Sequence, residues 1–272
     1  MIRFPNCKIN IGLYVTNVRS DGYHDIETVF YPVPLRDGLE IVPAGKTELQ
    51  LYGRQMPGEQ NTNLVWKAYE LLQGLYPDKV KPVAIHLLKN IPMGAGMGGG
   101  SADGAFMLQL LTDYFELGVS NKELEGLALQ LGSDCPFFIN NKPAYARGRG
   151  EVLEPIELDL SAYSIQLVCP NVHVSTADAF KTITPKAAPI NSKEIAMIPV
   201  REWKDRISND FEKPVFAKHP ELKEIKEQLY AGGALYAAMS GSGSTVYGVF
   251  EKGVRAEINT VISLDEYYLD SI

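Results

Sequence analysis

The chain has 272 residues, 45% hydrophobic and 22% charged, which is a soluble globular composition with apolar material for one large domain or two ordinary ones. Its 26 basic and 33 acidic residues leave a net charge of -7, which argues against nucleic acid or an anionic membrane as the main partner because either would be repelled at long range. Cys7, Cys135 and Cys169 stand far apart without C-x-x-C spacing, which argues against a zinc site or disulfide framework and suits a reducing, cytoplasmic setting; Pro5, Asn10 and Gly12 break any secretory apolar run, and no stretch reaches membrane-spanning length.

The first expected strand is Lys8-Ile9-Asn10-Ile11-Gly12-Leu13-Tyr14-Val15, whose two-residue period puts Ile9, Ile11, Leu13 and Val15 on one face and Lys8 and Asn10 on the other. Lys8 reads either as a solvated strand end or as a cation serving a site. Asp21-Gly22-Tyr23-His24 is a turn signal leading into the strand-like Glu27-Thr28-Val29-Phe30-Tyr31. Strands over Leu39–Val42 and Leu49–Tyr52 come next. Asn63 then caps a helix with Leu64, Ala68, Leu71, Leu72 and Leu75 on one face, stopped by Pro77.

Val83-Ala84-Ile85-His86-Leu87 reads as a strand, and behind it five glycines fall within positions 94–100, ahead of the apolar run Ala105 to Phe115. Ser101 is the natural N-cap for that run. A glycine loop between a strand and a helix start wraps an anion with its own N–H groups, and the helix dipole faces the same point, so phosphate is the expected guest. As a Walker A loop the stretch has Gly94, Gly99 and Ser101 in place, but Gly100 stands at the lysine position, so the cation must come from elsewhere. As a dinucleotide fingerprint it has Gly94, Gly96 and Gly99, yet the helix after them leads into the capping box Ser120-Asn121-Lys122-Glu123 and another helix, with no second parallel strand.

The helix opened by Ser120 buries Leu124, Leu127, Ala128 and Leu131 and ends at Gly132, which leaves Asp134 on the turn before Phe137-Phe138-Ile139. Arg147-Gly148-Arg149-Gly150-Glu151 is a positively charged turn that either closes a hairpin or borders an anionic site. Pro155 and Glu157-Leu158-Asp159 mark a boundary near residues 152–162, dividing the chain into 1–155 and 156–272. Beyond it come a strand over Tyr163–Val168, a short helix capped by Ser175 and running through Phe180, and helical segments near Val200–Ile207, Asp210–Lys218 and Glu221–Tyr230. Two last strands flank Ser240-Gly241-Ser242-Gly243-Ser244, which is either a plain hairpin or a second loop able to approach a phosphate.

Lys8-Ile9-Asn10, Asp21-Gly22-Tyr23-His24, the run from Pro92 to Asp103, Leu131-Gly132-Ser133-Asp134-Cys135-Pro136-Phe137-Phe138 and Ser240-Gly241-Ser242-Gly243 together resemble the GHMP small-molecule kinases. Within them they resemble the branch acting on a cytidine-diphosphate-bearing methylerythritol. The resemblance implies an α+β, two-domain GHMP kinase fold, with a ribosomal-S5-like N-terminal domain and a ferredoxin-like C-terminal domain. It implies ATP and Mg2+ as cofactors, Asp134 as base, and Lys8 polarising the acceptor and the γ-phosphate. ATP would meet Pro92-Met93-Gly94-Ala95-Gly96-Met97-Gly98-Gly99-Gly100-Ser101-Ala102, with Asn63 and Lys89 at the adenosine. The cytidine-diphosphate substrate would meet Asn10, Tyr23, His24, Phe180 and Gly241. Asp103 stands where the pattern often has asparagine; the helix dipole explains a carboxylate there equally well, so it stays outside the catalytic set. The alternatives are another GHMP kinase, for homoserine, mevalonate or a sugar, or a nonenzymatic nucleotide-binding protein. The aromatic group Tyr23, His24 and Phe180 favours a nucleobase over an aliphatic acid, and the presence of both Lys8 and Asp134 favours an enzyme.

Overall fold

A computed structural model describes residues 1–55 and 59–270. In chain order its elements are β1 (Ile2–Arg3), β2 (Asn6–Val18), β3 (His24–Arg36), β4 (Gly38–Pro43), β5 (Glu48–Gly53), α1 (Leu64–Leu75), β6 (Val83–Lys89), α2 (Gly99–Tyr114), α3 (Asn121–Leu131), α4 (Cys135–Asn140), β7 (Ala144–Gly148), β8 (Val152–Pro155), β9 (Tyr163–Pro170), α5 (Thr176–Lys181), α6 (Trp203–Arg206), α7 (Glu212–Lys218), α8 (Pro220–Ala231), β10 (Tyr236–Met239), β11 (Val246–Glu251) and β12 (Leu264–Leu269). They sort into two compact units built from non-contiguous segments. The first comprises Met1–Cys7, Leu35–Met93 and Gly98–Lys142; the second comprises Lys8–Pro34, Gly94–Met97 and Pro143–Ile272.

The first unit holds a sheet in the order β1-β4-β6-β5. β4 is antiparallel to β6, whereas β5 is parallel to it, because α1 carries the crossover that a parallel pair requires. The Asn63 side chain caps α1 by accepting the Val65 N–H at 2.9 Å, and the helix buries Val65, Ala68, Tyr69 and Leu72. Helices α1 and α2 meet at Gly104, where a Cβ would come within 2.9 Å of the Leu64 Cβ. α3 starts with a complete capping box between Ser120 and Glu123. The Phe137-Phe138-Ile139 segment belongs to α4, which Pro136 opens in the first turn, where its missing N–H costs nothing.

The start of α2 differs from the sequence reading. The helix begins at Gly99 with Gly98 as N-cap, so Ser101 lies inside the first turn and does not cap it. Gly99 packs against Ile91, with a Cβ there reaching 2.8 Å from the Ile91 Cγ2. That tertiary contact holds in helical form two glycines whose own propensity is poor.

In the second unit one sheet runs β2-β3-β7-β8 and the other β10-β11-β9-β12. β2 is buried from Asn6 through Val15, on both of its faces, so Lys8 and Asn10 are interior residues. In the other sheet β10–β11, β11–β9 and β12–β9 are all antiparallel, which is the ferredoxin-like order. α5 to α8 fill the first crossover of that plan. The second, residues 252–263, runs without a helix. Leu222, Ile225 and Leu229, at three- and four-residue spacing on α8, join Val168, Met239, Val246 and Phe250 in the core of this unit.

The α3 cap is remote in sequence from the glycine loop and stands on the surface, so its loss should be read in stability alone. Ser120→Ala is expected to lower unfolding free energy by about 0.5–2 kcal/mol. Denaturant unfolding checks this, with steady-state kinetics unchanged.

Candidate active site

The glycine stretch spans the interval from the end of β6 to the start of α2. Gly94, Gly96 and Gly98 take φ of 64°, 77° and 68°, the left-handed region that side-chain-bearing residues rarely occupy. Left-handed residues at alternate positions are the kind of backbone that can turn successive N–H groups toward one point, as in a nest. The carbonyls of the stretch are held by protein donors. Ala95 accepts from the Thr245 N–H at 3.2 Å, Gly96 from the Ser240 hydroxyl at 2.8 Å, and Met97 from the Lys8 N–H at 3.0 Å.

The glycines serve different ends. A Cβ on Gly96 would lie 2.1 Å from the Ser240 carbonyl oxygen, so this residue is glycine because the hairpin loop between β10 and β11 presses on it. The loop over Ser240–Ser244 is therefore both a hairpin connection and a close neighbour of the glycine stretch. At Gly94 nothing lies nearer than the His173 Nδ1 at 4.0 Å, and at Gly100 nothing lies within 4 Å. Gly98 offers no side chain to cap α2, and no side-chain hydrogen bond caps the start of this 16-residue helix. Within the first unit, a helix start without a side-chain cap and open space at Gly100 fit a phosphate.

Beside this stretch in the second unit, Lys8 is 4% exposed. Its ammonium is 2.5 Å from the Asn10 Oδ1, 3.4 Å from the Gly96 carbonyl and 4.7 Å from the centre of the Phe30 ring. Asn10 is held at every polar atom. Its Nδ2 donates to the Thr28 hydroxyl at 3.1 Å, its N–H to the Ser240 hydroxyl at 3.2 Å, and its carbonyl accepts the Tyr247 hydroxyl at 2.8 Å. Gly241, at φ 57°, would bring a Cβ within 3.2 Å of the Gly96 carbonyl and 3.4 Å of the Asn10 Oδ1. Its own carbonyl accepts from the Asn209 side chain at 2.8 Å. Lys8, Asn10, Gly96 and Gly241 thus form one packed group.

The aromatic residues assemble in the same unit. His24 and Phe180 stack with ring centres 4.7 Å apart and planes 24° apart, and Phe180 meets Phe211 edge-on at 4.8 Å. Tyr23 is 57% exposed, with the Arg149 guanidinium 5.0 Å above its ring. Arg149 lies in the turn joining β7 and β8, so the charged hairpin borders this aromatic group.

In the first unit, Asp134 is the residue immediately before α4. Burial pushes the neighbouring Cys135 thiol up to about 12 against the opposing effect of its hydrogen bond with Ser101, and the nearby Asp134 carboxylate adds to the rise. Ser101, Asp134 and Cys135 are therefore neighbours, and the thiol is an inert packing group.

Lys89 ends β6 with its side chain in the interior of the first unit. It is 2% exposed, and its ammonium is taken by Asp37 and, at 2.7 Å, by the Asp103 Oδ2. Burial works against the ammonium, but the Asp103 and Asp37 carboxylates outweigh it and hold its pKa above the ordinary value. The surplus carboxylate shows in Asp103, whose pKa burial pushes up to about 8 despite Lys89. Asp37 was missed in the sequence because Asp37-Gly38 reads as a bare turn before a strand. Thr28, Phe30 and Ser240, which surround Lys8 and Asn10, carried no signal beyond their place in strand and hairpin patterns.

The description "GHMP kinases N terminal domain" matches residues 63–142, and "GHMP kinases C terminal" matches residues 198–259. A 4-diphosphocytidyl-2-C-methyl-D-erythritol kinase of Parabacteroides distasonis is 53% identical, covering 97% of this chain and 96% of its own. A solved structure of a 4-(cytidine 5'-diphospho)-2C-methyl-D-erythritol kinase superposes with a TM-score of 0.79 at 33% identity, over 92% of this chain and 90% of that one. A homoserine kinase from Cytophaga hutchinsonii shares the fold, with a TM-score of 0.67 at 15% identity, over 98% and 94%. Family matches in both halves and identity of this order over nearly the full length place the chain in the GHMP kinases, in the group of the 4-diphosphocytidyl-2-C-methyl-D-erythritol kinases.

Proposed function

We propose that the chain transfers a phosphoryl group from ATP to the 2-hydroxyl of 4-diphosphocytidyl-2-C-methyl-D-erythritol, in the cytoplasm, as a step toward isoprenoid precursors. The observation that carries this reading is the glycine stretch, whose three inward-bound carbonyls leave the N–H side of the nest and the α2 N-terminus for an anion. The 53% identity over nearly the whole chain supports the acceptor. No helix among the described residues is long and apolar enough to cross a membrane. In this reading residues 1–155 form the N-terminal kinase domain and 156–272 the C-terminal one, with a family match on each side of that boundary.

ATP, when bound, supplies the phosphoryl group and, with Mg2+, the charge the site must hold. The amides of 94–100 and the first turn of α2 bind that charge. The Ser101 hydroxyl, a hard oxygen donor in the same turn, serves a phosphate or the ion, and Asn63 lies at the nucleoside end. Asp134 accepts the proton of the acceptor hydroxyl. Lys8, held by the Asn10 Oδ1, keeps an ammonium where negative charge develops during transfer. Tyr23, His24 and Phe180 give ring faces to the cytosine, and Asn10 and Gly241 shape the wall around Lys8.

The decisive assay compares the cytidine-bearing alcohol with its uridine analogue and with homoserine, mevalonate and galactose. Turnover of the first is expected to exceed that of the uridine analogue by about 5- to 150-fold, because a site that pairs with the exocyclic amine leaves buried groups unsatisfied when the amine becomes a carbonyl. Equal efficiency with both would overturn the cytidine reading.

Asp134→Asn keeps shape while removing the base, and kcat should fall by about 10²–10⁴ with little change in substrate binding. Lys8→Met keeps the stem while removing the cation, and a fall of about 10²–10³ is expected. If the two serve one reaction centre, the double variant loses far less than the product of the single effects.

Gly100→Leu tests the cradle. The position is helical, its φ is not left-handed, and its side is open, so the melting temperature should not drop. The KM for ATP should rise at least about tenfold, since the new side chain occupies the phosphate's space. A variant with wild-type ATP kinetics would show that this stretch does not bind the phosphates.

A further inference from the structure

Lys89 ends β6 with an interior side chain. Asp37, 2% exposed, holds this end of the strand twice over. Its Oδ2 takes the Lys89 ammonium, and its Oδ1 accepts the Asn90 N–H at 2.6 Å and the Ile91 N–H at 2.8 Å. Asp37 therefore fixes the backbone that leads from β6 into the glycine stretch. On the far side of that stretch, Asp103 in α2 is 1% exposed and receives the same ammonium on Oδ2 at 2.7 Å. Its Oδ1 is buried without a hydrogen-bond partner. The cation lies directly beneath the helix start, since a Cβ on Gly99 would be 3.5 Å from the Lys89 Nζ.

One buried ammonium thus joins the entry stem, residues 89–91, to the exit stem, residues 99–103. A loop that must present backbone amides to a multiply charged ligand works only if both stems hold their spacing, because misplacement by an ångström forfeits much of a preorganised contact. We propose that Lys89, Asp37 and Asp103 form a positioning clamp that sets the two stems of the glycine loop and so tunes ATP affinity without touching the nucleotide. The inference rests on the reading of that loop as the ATP-phosphate cradle. The clamp has a reason to use charge. One ammonium shared between the Asp37 carboxylate and the Asp103 carboxyl group makes a tie that tightens as water is excluded, whereas apolar packing alone would not fix the distance between the stems.

Asp103→Ala removes the α2 end of the clamp and leaves Lys89 paired with Asp37, so no buried charge is stranded. The KM for ATP is expected to rise at least about fivefold. The KM for the cytidine alcohol and kcat at saturating ATP should stay within about twofold. Asp103→Asn, which keeps an oxygen for the ammonium, should restore the KM for ATP to within about twofold of wild type. Should Asp103→Ala be recovered unfolded, Asp103→Ser is read in the same way. A lowered melting temperature with unchanged KM for ATP would overturn the clamp in favour of a merely structural pair. Equal losses in Asp103→Ala and Asp103→Asn would overturn it as well, because the tie itself would then be irrelevant. Gly100→Leu, assayed alongside, separates the two levels. If that variant raises the KM for ATP and Asp103→Ala does not, the clamp fails and the cradle stands; if Gly100→Leu leaves ATP kinetics untouched, the cradle reading falls and takes the clamp with it.

Discussion

Three consecutive carbonyls, those of Ala95, Gly96 and Met97, are each occupied by a protein donor, and this arrangement decides what the glycine stretch can offer a ligand. A loop rich in glycine is expensive to order, because glycine loses more conformational freedom on folding than any other residue. Here the donors come from well-anchored positions: a strand amide at Lys8, a hairpin hydroxyl at Ser240 and a hairpin amide at Thr245. Ordering is therefore accomplished by folding rather than left to the ligand, which is the condition for a cradle to bind charge without reorganising.

Charge is handled in the same economical way. The chain carries seven more acidic than basic residues, yet it belongs to a family of kinases, whose phosphoryl donor is a polyanion. The positive charge that meets it must therefore be local, since the net charge supplies no attraction at long range. The Lys8 ammonium is set among fixed dipoles and an aromatic face, where a cation is worth more than it is in water. Lys89 is a lysine of a different kind, satisfied inside the protein by two carboxylates.

The sequence carried the helices with strong local signals. α1 and α3 begin at Asn63 and Ser120 because a side chain there satisfies a backbone N–H, which is a short-range fact written in a few residues. α2 does not, since its start is fixed by the contact of Gly99 with Ile91, and Ser101 is the better cap on local grounds alone. The burial of Lys8 and Asn10 was illegible for a related reason: alternation assigns polar residues to an open face, and only tertiary packing shows that both faces of β2 are covered. The Lys89 pair was the hardest to see, because its partners lie 52 residues before it and 14 after it; Asp37 stands in no recognisable motif, and Asp103 is explained equally well by the helix dipole. The ferredoxin-like order was available only through family resemblance. Nothing in residues 252–263 announced that the second crossover would lack a helix.

The contact between Gly96 and the Ser240 backbone has an evolutionary consequence. Most tight contacts join two side chains, so a change in one is repaired by a change in the other, and the two positions drift together. Here a Cβ at position 96 would strike a peptide oxygen, which every residue type at position 240 carries alike. No substitution at 240 relieves the clash. Among descendants of this chain, position 96 is therefore expected to stay glycine whatever position 240 becomes, and methods that infer proximity from correlated substitution will be blind to one of the closest approaches in the molecule.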